Sequence, residues 1–409
     1  MPRLRCRQGG FRDGRGRLIQ RKPRMTQPVQ HLVIVGSGLA AWTVVREFRK
    51  LDSLTPITLI TRDNGDFYSK PMLSNALHSG KTAVQLVSTM SAAMAESLHV
   101  TLMAHTDVTG VDTATGCVIT TSGPVAYSRL VLAVGADPVR LPLEGDAADR
   151  VLSVNDLQDY ARFREQLEGA RRVAVIGAGL IGCEFANDLV GAGYEVDVID
   201  PGTQPLGRLL PPEAGAQVQQ ALASAGVRFH FGTSARAICS SADGLEFELT
   251  HGVRLRSDVV LSAVGLRPRL ALAQAVGLQT ARGIVVNRQL QTSQPGIYAL
   301  GDVAEVDGQW LPFVMPLMQS ARTLAANLAG QSASLKYGPM PVVVKTPAAP
   351  VVVSPPAPGV TGEWRIETHA DGVDARFVGE DGSLQGFALT GTATVQKMTL
   401  QKNLPAVLA

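Results

Sequence analysis

His31–Ala41 reads HLVIVGSGLAA and Arg172–Gly182 reads RVAVIGAGLIG, so one arrangement of apolar strand, glycine turn and helix start occurs twice, its first glycines 141 residues apart. Each copy predicts the opening of a mononucleotide-binding unit. In the first, Leu32–Val35 is a continuous apolar run of the kind buried on both faces of a parallel sheet. A helix is expected to follow it to about Leu51, and Ile57–Thr61 (ITLIT) reads as the next strand. In the second copy the strand is Val173–Ile176, the helix runs from Ile181 to about Ala192, and Glu195–Asp200 (EVDVID) is the next strand.

The glycines carry the chemistry. Gly36, Gly38 and Ala41 form GxGxxA, and Gly177, Gly179 and Gly182 form GxGxxG. The first glycine permits the tight turn, the second lets the backbone approach a pyrophosphate, and the third small residue lets helix pack on strand, leaving a helix N-terminus aimed at negative charge. One such turn is weak evidence, since any glycine-rich strand-to-helix turn matches. Two, each followed by a second strand about 20 residues on, predict two bound dinucleotides. Asp200, 23 residues past Gly177, is placed to accept from a ribose 2′-hydroxyl and to repel a 2′-phosphate, favouring NADH over NADPH; a surface aspartate ending a strand is the alternative. No Arg or Lys follows it before Arg208. At the first site Thr61 stands where the acid is expected, with Arg62 and Asp63 next, so its ribose contact is left open. Gly301–Asp302 follows the apolar Ile297–Leu300, and a carboxylate after a glycine at a strand end suits the ribityl chain of FAD; an ordinary Gly-Asp turn is the alternative. With GxGxxA, it assigns FAD to the first site.

Leu130–Ala136 (LVLAVGA) and Val259–Leu266 (VVLSAVGL) are expected as apolar strands ending in glycine turns. Between Pro339 and Pro358 lie seven of the 24 prolines, and the Val runs among them read as edge strands or extended segments. Residues 360–409 alternate like an antiparallel sheet and then turn helical. The expected fold is α/β, with two Rossmann-like, three-layer dinucleotide-binding domains and a small α+β C-terminal domain. Its division is an FAD-binding part over 29–142, an NAD-binding domain over 143–268, a second FAD-binding part over 269–335, and a C-terminal domain over 336–409.

Length and charge agree with this. The 409 residues allow two to three domains, and no apolar run approaches the roughly 18–20 residues that span a bilayer. The net charge of +3 is misplaced as a global property: residues 1–24 hold nine of the 38 bases and one of the 35 acids, leaving 29 bases and 34 acids, a net of −5. Met25 opens MTQPVQHLVIVG as a start codon would, so residues 1–28 are expected as a basic extension dispensable for activity, with a nucleic-acid arm or a targeting peptide as the alternatives. Cys6, Cys117, Cys183 and Cys239 lack the spacing of a redox dithiol, a disulfide framework or a zinc site. Cys183 reads as a small packing residue. No metal site is indicated by the seven histidines, and a reducing, cytoplasmic compartment fits.

IVGSGLAA, VIGAGLIGCEFAN, SAVGLRPR and IYALGDVAEVDG resemble the signatures of the two-dinucleotide FAD and NAD(P) oxidoreductases, whose fold is glutathione-reductase-like. More narrowly, YSKPMLS (68–74), GLIGCEFANDL (179–189), VMPLM (314–318), YGPMPVVVKTP (337–347) and VVVSPP (351–356) resemble the rubredoxin–NAD(+) reductases, over essentially Met25–Ala409. That resemblance implies NADH-dependent reduction of rubredoxin, a one-electron iron carrier, in support of alkane hydroxylation or oxidative-stress reduction; a monomer that needs neither nucleic acid nor membrane insertion is expected. It implies FAD on Ser37, Gly38, Leu39 and Ala40, Thr61 and Arg62, Lys70, Val108, Asp302, Val314 and Lys345, with Glu184 beside the flavin. Glu184 and Lys345 would tune the flavin rather than act as acid or base. Solvated lysines at 70 and 345, and a helix-stabilising role for Glu184, are the alternatives. The helix starting near Pro316 would present its positive end to the flavin pyrimidine, and a patch of Lys70, Lys345, Lys397 and Lys402 would steer an acidic carrier. Reduction of a ferredoxin or of a flavorubredoxin, and redox sensing by a carrier-less FAD- and NADH-binding protein, are the competing functions.

Overall fold

The computed structural model describes residues 30–409, so the basic extension lies outside the described residues. Leu32–Val35 forms the middle strand of a five-stranded parallel sheet in the order Ile297–Ala299, Arg129–Leu132, Leu32–Val35, Ile57–Ile60, Val100–Met103. All four of its residues are buried, as an uninterrupted apolar run requires when both sheet faces are covered. On one face lies the helix Leu39–Arg49, whose Ala41, Val44, Val45 and Phe48 recur at helical spacing and are buried, alongside the helix Val314–Leu328. On the other, a meander of Val108–Asp112, Cys117–Thr120 and Gly123–Ala126 adds Val118 to the same core.

The second unit repeats the plan in a four-stranded parallel sheet, ordered Val227–Phe231, Glu195–Asp200, Arg172–Ile176, Val259–Ser262. The strand pleat sorts its side chains between two cores. Val173, Val175, Val196 and Val198 face the helices Leu180–Gly191 and Pro212–Ser224. Ala174, Ile176, Ile199 and Val260 face a meander carrying Ile238, Leu245, Phe247 and Leu249.

Two expectations need correction. The runs 130–136 and 259–266 are not single strands: the sheet strands end at Leu132 and Ser262, and Ala136–Pro138 pairs antiparallel with Leu266–Pro268. A strand continued past Leu132 or Ser262 would leave the ladder behind, because the neighbouring strands stop at Val35 and Ile176. Gly135 and Gly265, both at positive φ, instead turn the chain, and the two passes between the nucleotide units hydrogen-bond to each other. Arg269 Nε donates to Asp137 Oδ1 at 2.7 Å and locks that crossing.

The C-terminal sheet is antiparallel, ordered Val342–Val344, Val351–Ser354, Leu384–Thr390, Gly372–Gly379, Gly362–His369. Val342–Val344 is an edge strand as expected, but Val351–Ser354 is interior, paired on both sides. Pro350 and Pro355 flank it rather than interrupt it, so no ladder N–H is lost. Val344, Val351, Val353, Val373, Ala375 and Ala388 share a core with the helices of the second unit. The chain end returns to the first unit, where Tyr337 and Leu408 exchange backbone hydrogen bonds of 2.8 and 3.0 Å. Among the described residues no helix is long and apolar enough to cross a membrane.

Candidate functional site

Both parallel sheets point the ends of their strands at one cleft of about 2190 Å³, and it collects the sequence-predicted residues from every part of the chain. A cavity this size is more than twice the upper end of the usual range for a single ligand, roughly 300–1,000 Å³.

The two turns are nearly superimposable in their steric logic. Gly36 has φ +111°, and a Cβ there would lie 2.3 Å from Ala133 O; Gly177 has φ +106°, with Ala263 O at 2.8 Å. Gly38 and Gly179 have ordinary extended backbone and nothing within 4 Å of an added Cβ, so each presents bare backbone to the cleft. They are the N-caps of helices of 11 and 12 residues, with no capping side chain and no acid in the first turn. The first-turn N–H groups of Leu39–Ala41 and Leu180–Gly182 are therefore left without side-chain acceptors at two positive helix ends, which is the donor set a pyrophosphate needs. Ala41 and Gly182 stand behind the wall. A Cβ on Gly182 would lie 1.9 Å from Gly177 O, whereas the first turn already accommodates the methyl of Ala41.

The carboxylates at the second strand ends are tied into these turns. Asp200 accepts from Ala178 N and Gly202 N, both at 2.7 Å, so it braces the glycine turn instead of merely ending a strand; each oxygen keeps a second lone pair for a ligand hydroxyl. At the first turn Ser37 Oγ (2.9 Å) and Thr61 Oγ1 (2.6 Å) both donate to Asp63 Oδ1, which also accepts from Gly65 N at 2.9 Å. Asp63, two residues past the expected position, lines the cleft and braces this turn as Asp200 braces the second. Arg62, half-exposed, lies on the cleft rim 4.0 Å from Asp137.

Gly301, at φ +79°, approaches the first helix so closely that a Cβ would lie 2.9 Å from Ala40 Cβ; it sits behind the wall while Asp302 lines the cleft. Asp302 is 3.5 Å from Lys70 Nζ. Its carbonyl accepts from Trp310 Nε1 at 3.0 Å, and Arg282 sits 4.2 Å over the Trp310 ring. Val108 and Val314 line the cleft, and Val314 opens a helix that lacks a capping side chain.

Glu184 is the fifth residue of its helix and 1% exposed, which rules out the dipole-stabilising alternative. It accepts from Ser74 Oγ at 2.6 Å, from Lys345 N at 3.0 Å and from Lys345 Nζ, while Lys345 Nζ also contacts Ser74 Oγ at 2.9 Å. Three remote segments meet at this one ion pair, its carboxylate buried and its ammonium half-buried. Neither Lys70 nor Lys345 is a lone solvated cation, since both are paired with carboxylates. Lys397 lines the rim of the cleft, and Lys402 is exposed outside it.

Cys183 is buried, with its Sγ 3.3 Å from Ala178 O, and burial pushes its thiol up to about 12, so it packs and does not react. Sequence reasoning missed Ser74, Asn155, Ser262 and Trp310, all on the cleft wall. Ser74 and Ser262 lie within the quoted segments 68–74 and 259–266, but no pattern there singles them out, and only the tertiary contacts expose all four.

The profile of the pyridine nucleotide-disulphide oxidoreductase family matches residues 30–326, and that of the rubredoxin binding C-terminal domain matches 334–404. The chain is 50% identical over 378 residues to a rubredoxin-NAD(+) reductase of Alcanivorax borkumensis, covering 92% of this chain and 99% of that one. It is 42% identical over 386 residues to a rubredoxin-NAD(+) reductase of Acinetobacter baylyi, covering 92% and 98%. Among solved structures, a ferredoxin reductase from Rhodopseudomonas palustris superposes with a TM-score of 0.83 at 27% identity, covering 92% and 95%. With a cradle for two dinucleotides already built from its own backbone, the chain belongs to the pyridine nucleotide-disulphide oxidoreductase family, among the rubredoxin-NAD(+) reductases.

Proposed function

We propose that this protein is an NADH-dependent flavoprotein reductase that carries electrons from NADH through FAD to rubredoxin, in the cytoplasm and as a monomer. The observation that carries the reading is the convergence of two glycine-capped helix N-termini on one cleft to whose wall the C-terminal domain also contributes. When bound, FAD supplies the redox chemistry, taking a hydride from NADH and releasing electrons one at a time.

The chain's own part is binding, orientation and electrostatics. Residues 29–142 with 269–335 would hold FAD: the amides beyond Gly36, Ser37 and Gly38 meet its pyrophosphate, Asp63 and Thr61 its ribose, Asp302 its ribityl chain, and the helix end at Val314 its pyrimidine carbonyls. Residues 143–268 would hold NADH on Gly177, Gly179 and the first-turn amides, with Asp200 accepting from the ribose and discriminating against NADPH. The Glu184–Lys345 pair sets a fixed dipole at the junction of the two halves and needs no proton transfer. Residues 336–409 would receive the carrier. Because Lys70 and Lys345 are engaged with Asp302 and Glu184, steering of an acidic carrier falls mainly to Lys397 and Lys402.

The deciding experiment is anaerobic addition of NADH to the purified flavoprotein, followed by mixing with oxidised rubredoxin. Bleaching of the flavin absorbance and its recovery with reduction of the iron are expected. A colourless chain that cannot be reconstituted with FAD, or reduced flavin that persists in the presence of rubredoxin, would overturn the reading. Turnover with a ferredoxin and a flavorubredoxin side by side separates the carrier classes.

A further inference from the structure

The wall between the two glycine turns holds a polar atom that the chain itself does not use. Asn155 is 7% exposed and lies in the stretch Ser153–Asp156 that lines the cleft. Its Nδ2 donates to Ala136 O at 3.0 Å. That contact sets the sense of the amide, since a backbone carbonyl can only accept. Asn155 Oδ1 is thereby turned away from Ala136, buried, and without a hydrogen-bond partner among the described residues. The residue is held from its backbone as well: Asn155 N donates to Asp159 Oδ2 at 3.0 Å, and the adjacent Asp156 caps the following helix through Asp159 N at 2.8 Å. A second unpartnered atom, Ser262 Oγ, lines the same cleft, and Ser262 N donates to Leu152 O at 2.7 Å. A buried acceptor left without a donor is destabilising, and a bound donor recovers that loss.

Position identifies the donor. On one side Asn155 is anchored to Ala136, just past the Gly135 turn of the first unit. On the other, Ser262 is in register with Ile176, the residue before Gly177. Val154 and Leu157, flanking Asn155, pack into the same cluster as Tyr68 and Leu73, beside the Ser74 that bonds Glu184. Asn155 therefore stands where the reactive end of a dinucleotide anchored at Gly179 must cross toward the first unit. The pyridine ring at that end carries one conventional hydrogen-bond donor, its carboxamide N–H₂.

We propose that Asn155 Oδ1 accepts a hydrogen bond from the nicotinamide carboxamide and fixes the ring's orientation, making Asn155 a recognition residue for the coenzyme. This rests on the reading of the cleft as an NADH site. The test is calorimetric titration of the oxidised flavoprotein, without turnover, with NAD+, with 3-acetylpyridine adenine dinucleotide, whose methyl ketone lacks the N–H₂, and with ADP-ribose, which lacks the ring. Wild type is expected to bind NAD+ about tenfold more tightly than the acetylpyridine analogue. In Asn155→Ala that ratio should collapse to within about twofold while ADP-ribose binding holds. The wild-type ratio requires no variant to fold. Equal affinities of wild type for NAD+ and the analogue, an unchanged ratio in the variant, or parallel loss of ADP-ribose binding would each overturn the assignment, as would a shifted flavin spectrum with no effect on NAD+. Failure of wild type to bind either NAD+ or ADP-ribose would instead remove the NADH site itself.

Discussion

Alanine at position 179 separates what the fold needs from what the ligand needs. Gly179 has φ −72° and ψ −171°, which alanine adopts freely, and nothing lies within 4 Å of the new Cβ. The substitution reduces the freedom of the unfolded chain at no steric cost, a stabilisation of about 0.4–1 kcal/mol. The melting temperature of the ligand-free protein should hold or rise by about 1–3 °C. The methyl, however, enters the space through which a pyrophosphate oxygen reaches the first-turn amides. Losing one charge-assisted hydrogen bond of about 1.5–3 kcal/mol weakens NAD+ by about tenfold to a hundredfold. The same reasoning applies to Gly38, with φ −69° and ψ −176°, where Gly38→Ala should lower FAD content after gel filtration and leave NAD+ affinity intact. Calorimetry with NAD+ and flavin absorbance read the two sites separately. If Gly179→Ala bound NAD+ as tightly as wild type, the helix N-terminus would not be the pyrophosphate cradle.

Gly182→Ala should behave in the opposite way: its Cβ would lie 1.9 Å from Gly177 O, so helix and turn must part and stability falls by about 1–3 kcal/mol or more, seen as a lowered melting temperature; an unchanged one would contradict the packing argument. Lys345→Met strands the Glu184 carboxylate, 1% exposed, with only Ser74 and one backbone N–H as donors, and should cost about 2–4 kcal/mol in denaturant unfolding. Adding Glu184→Gln should recover part of that loss, and strict additivity of the two changes would sink the claim. For Asp197, burial alone would raise the carboxyl, but hydrogen bonds from His230 and Arg228, with their charges, hold it at about 2 instead of 3.8. A depressed carboxyl contributes its stability above pH 3.8 and loses it as pH falls toward 2, about 2 kcal/mol in all, so Asp197→Asn should flatten the acid limb of the stability–pH curve there.

The repeated strand–glycine–helix pattern was sufficient for the two nucleotide units and for Gly36, Gly38, Gly177 and Gly179, because these constraints are local. A tight turn needs positive φ, a bare amide needs no side chain, and a doubly covered strand needs an unbroken apolar run, all within eleven residues of chain. The C-terminal Val runs were ambiguous for a related reason: prolines beside a strand and prolines within it read alike until the register is known.

What no local pattern carried was partnership. Lys70 and Lys345 look like free cations in one dimension, and only the fold brings them to Asp302 and Glu184, residues 232 and 161 positions away. Asp63 braces the first turn because three donors converge on its carboxylate in space, and Asn155 gained its unpaired oxygen only when Ala136 claimed its other end. Backbone conformation is decided by neighbours in the chain, and so the sequence alone determined where two phosphate-facing turns would form. The protonic and ionic state of a buried group is decided by whatever packs against it from afar, and so tertiary structure alone assigned those groups their partners.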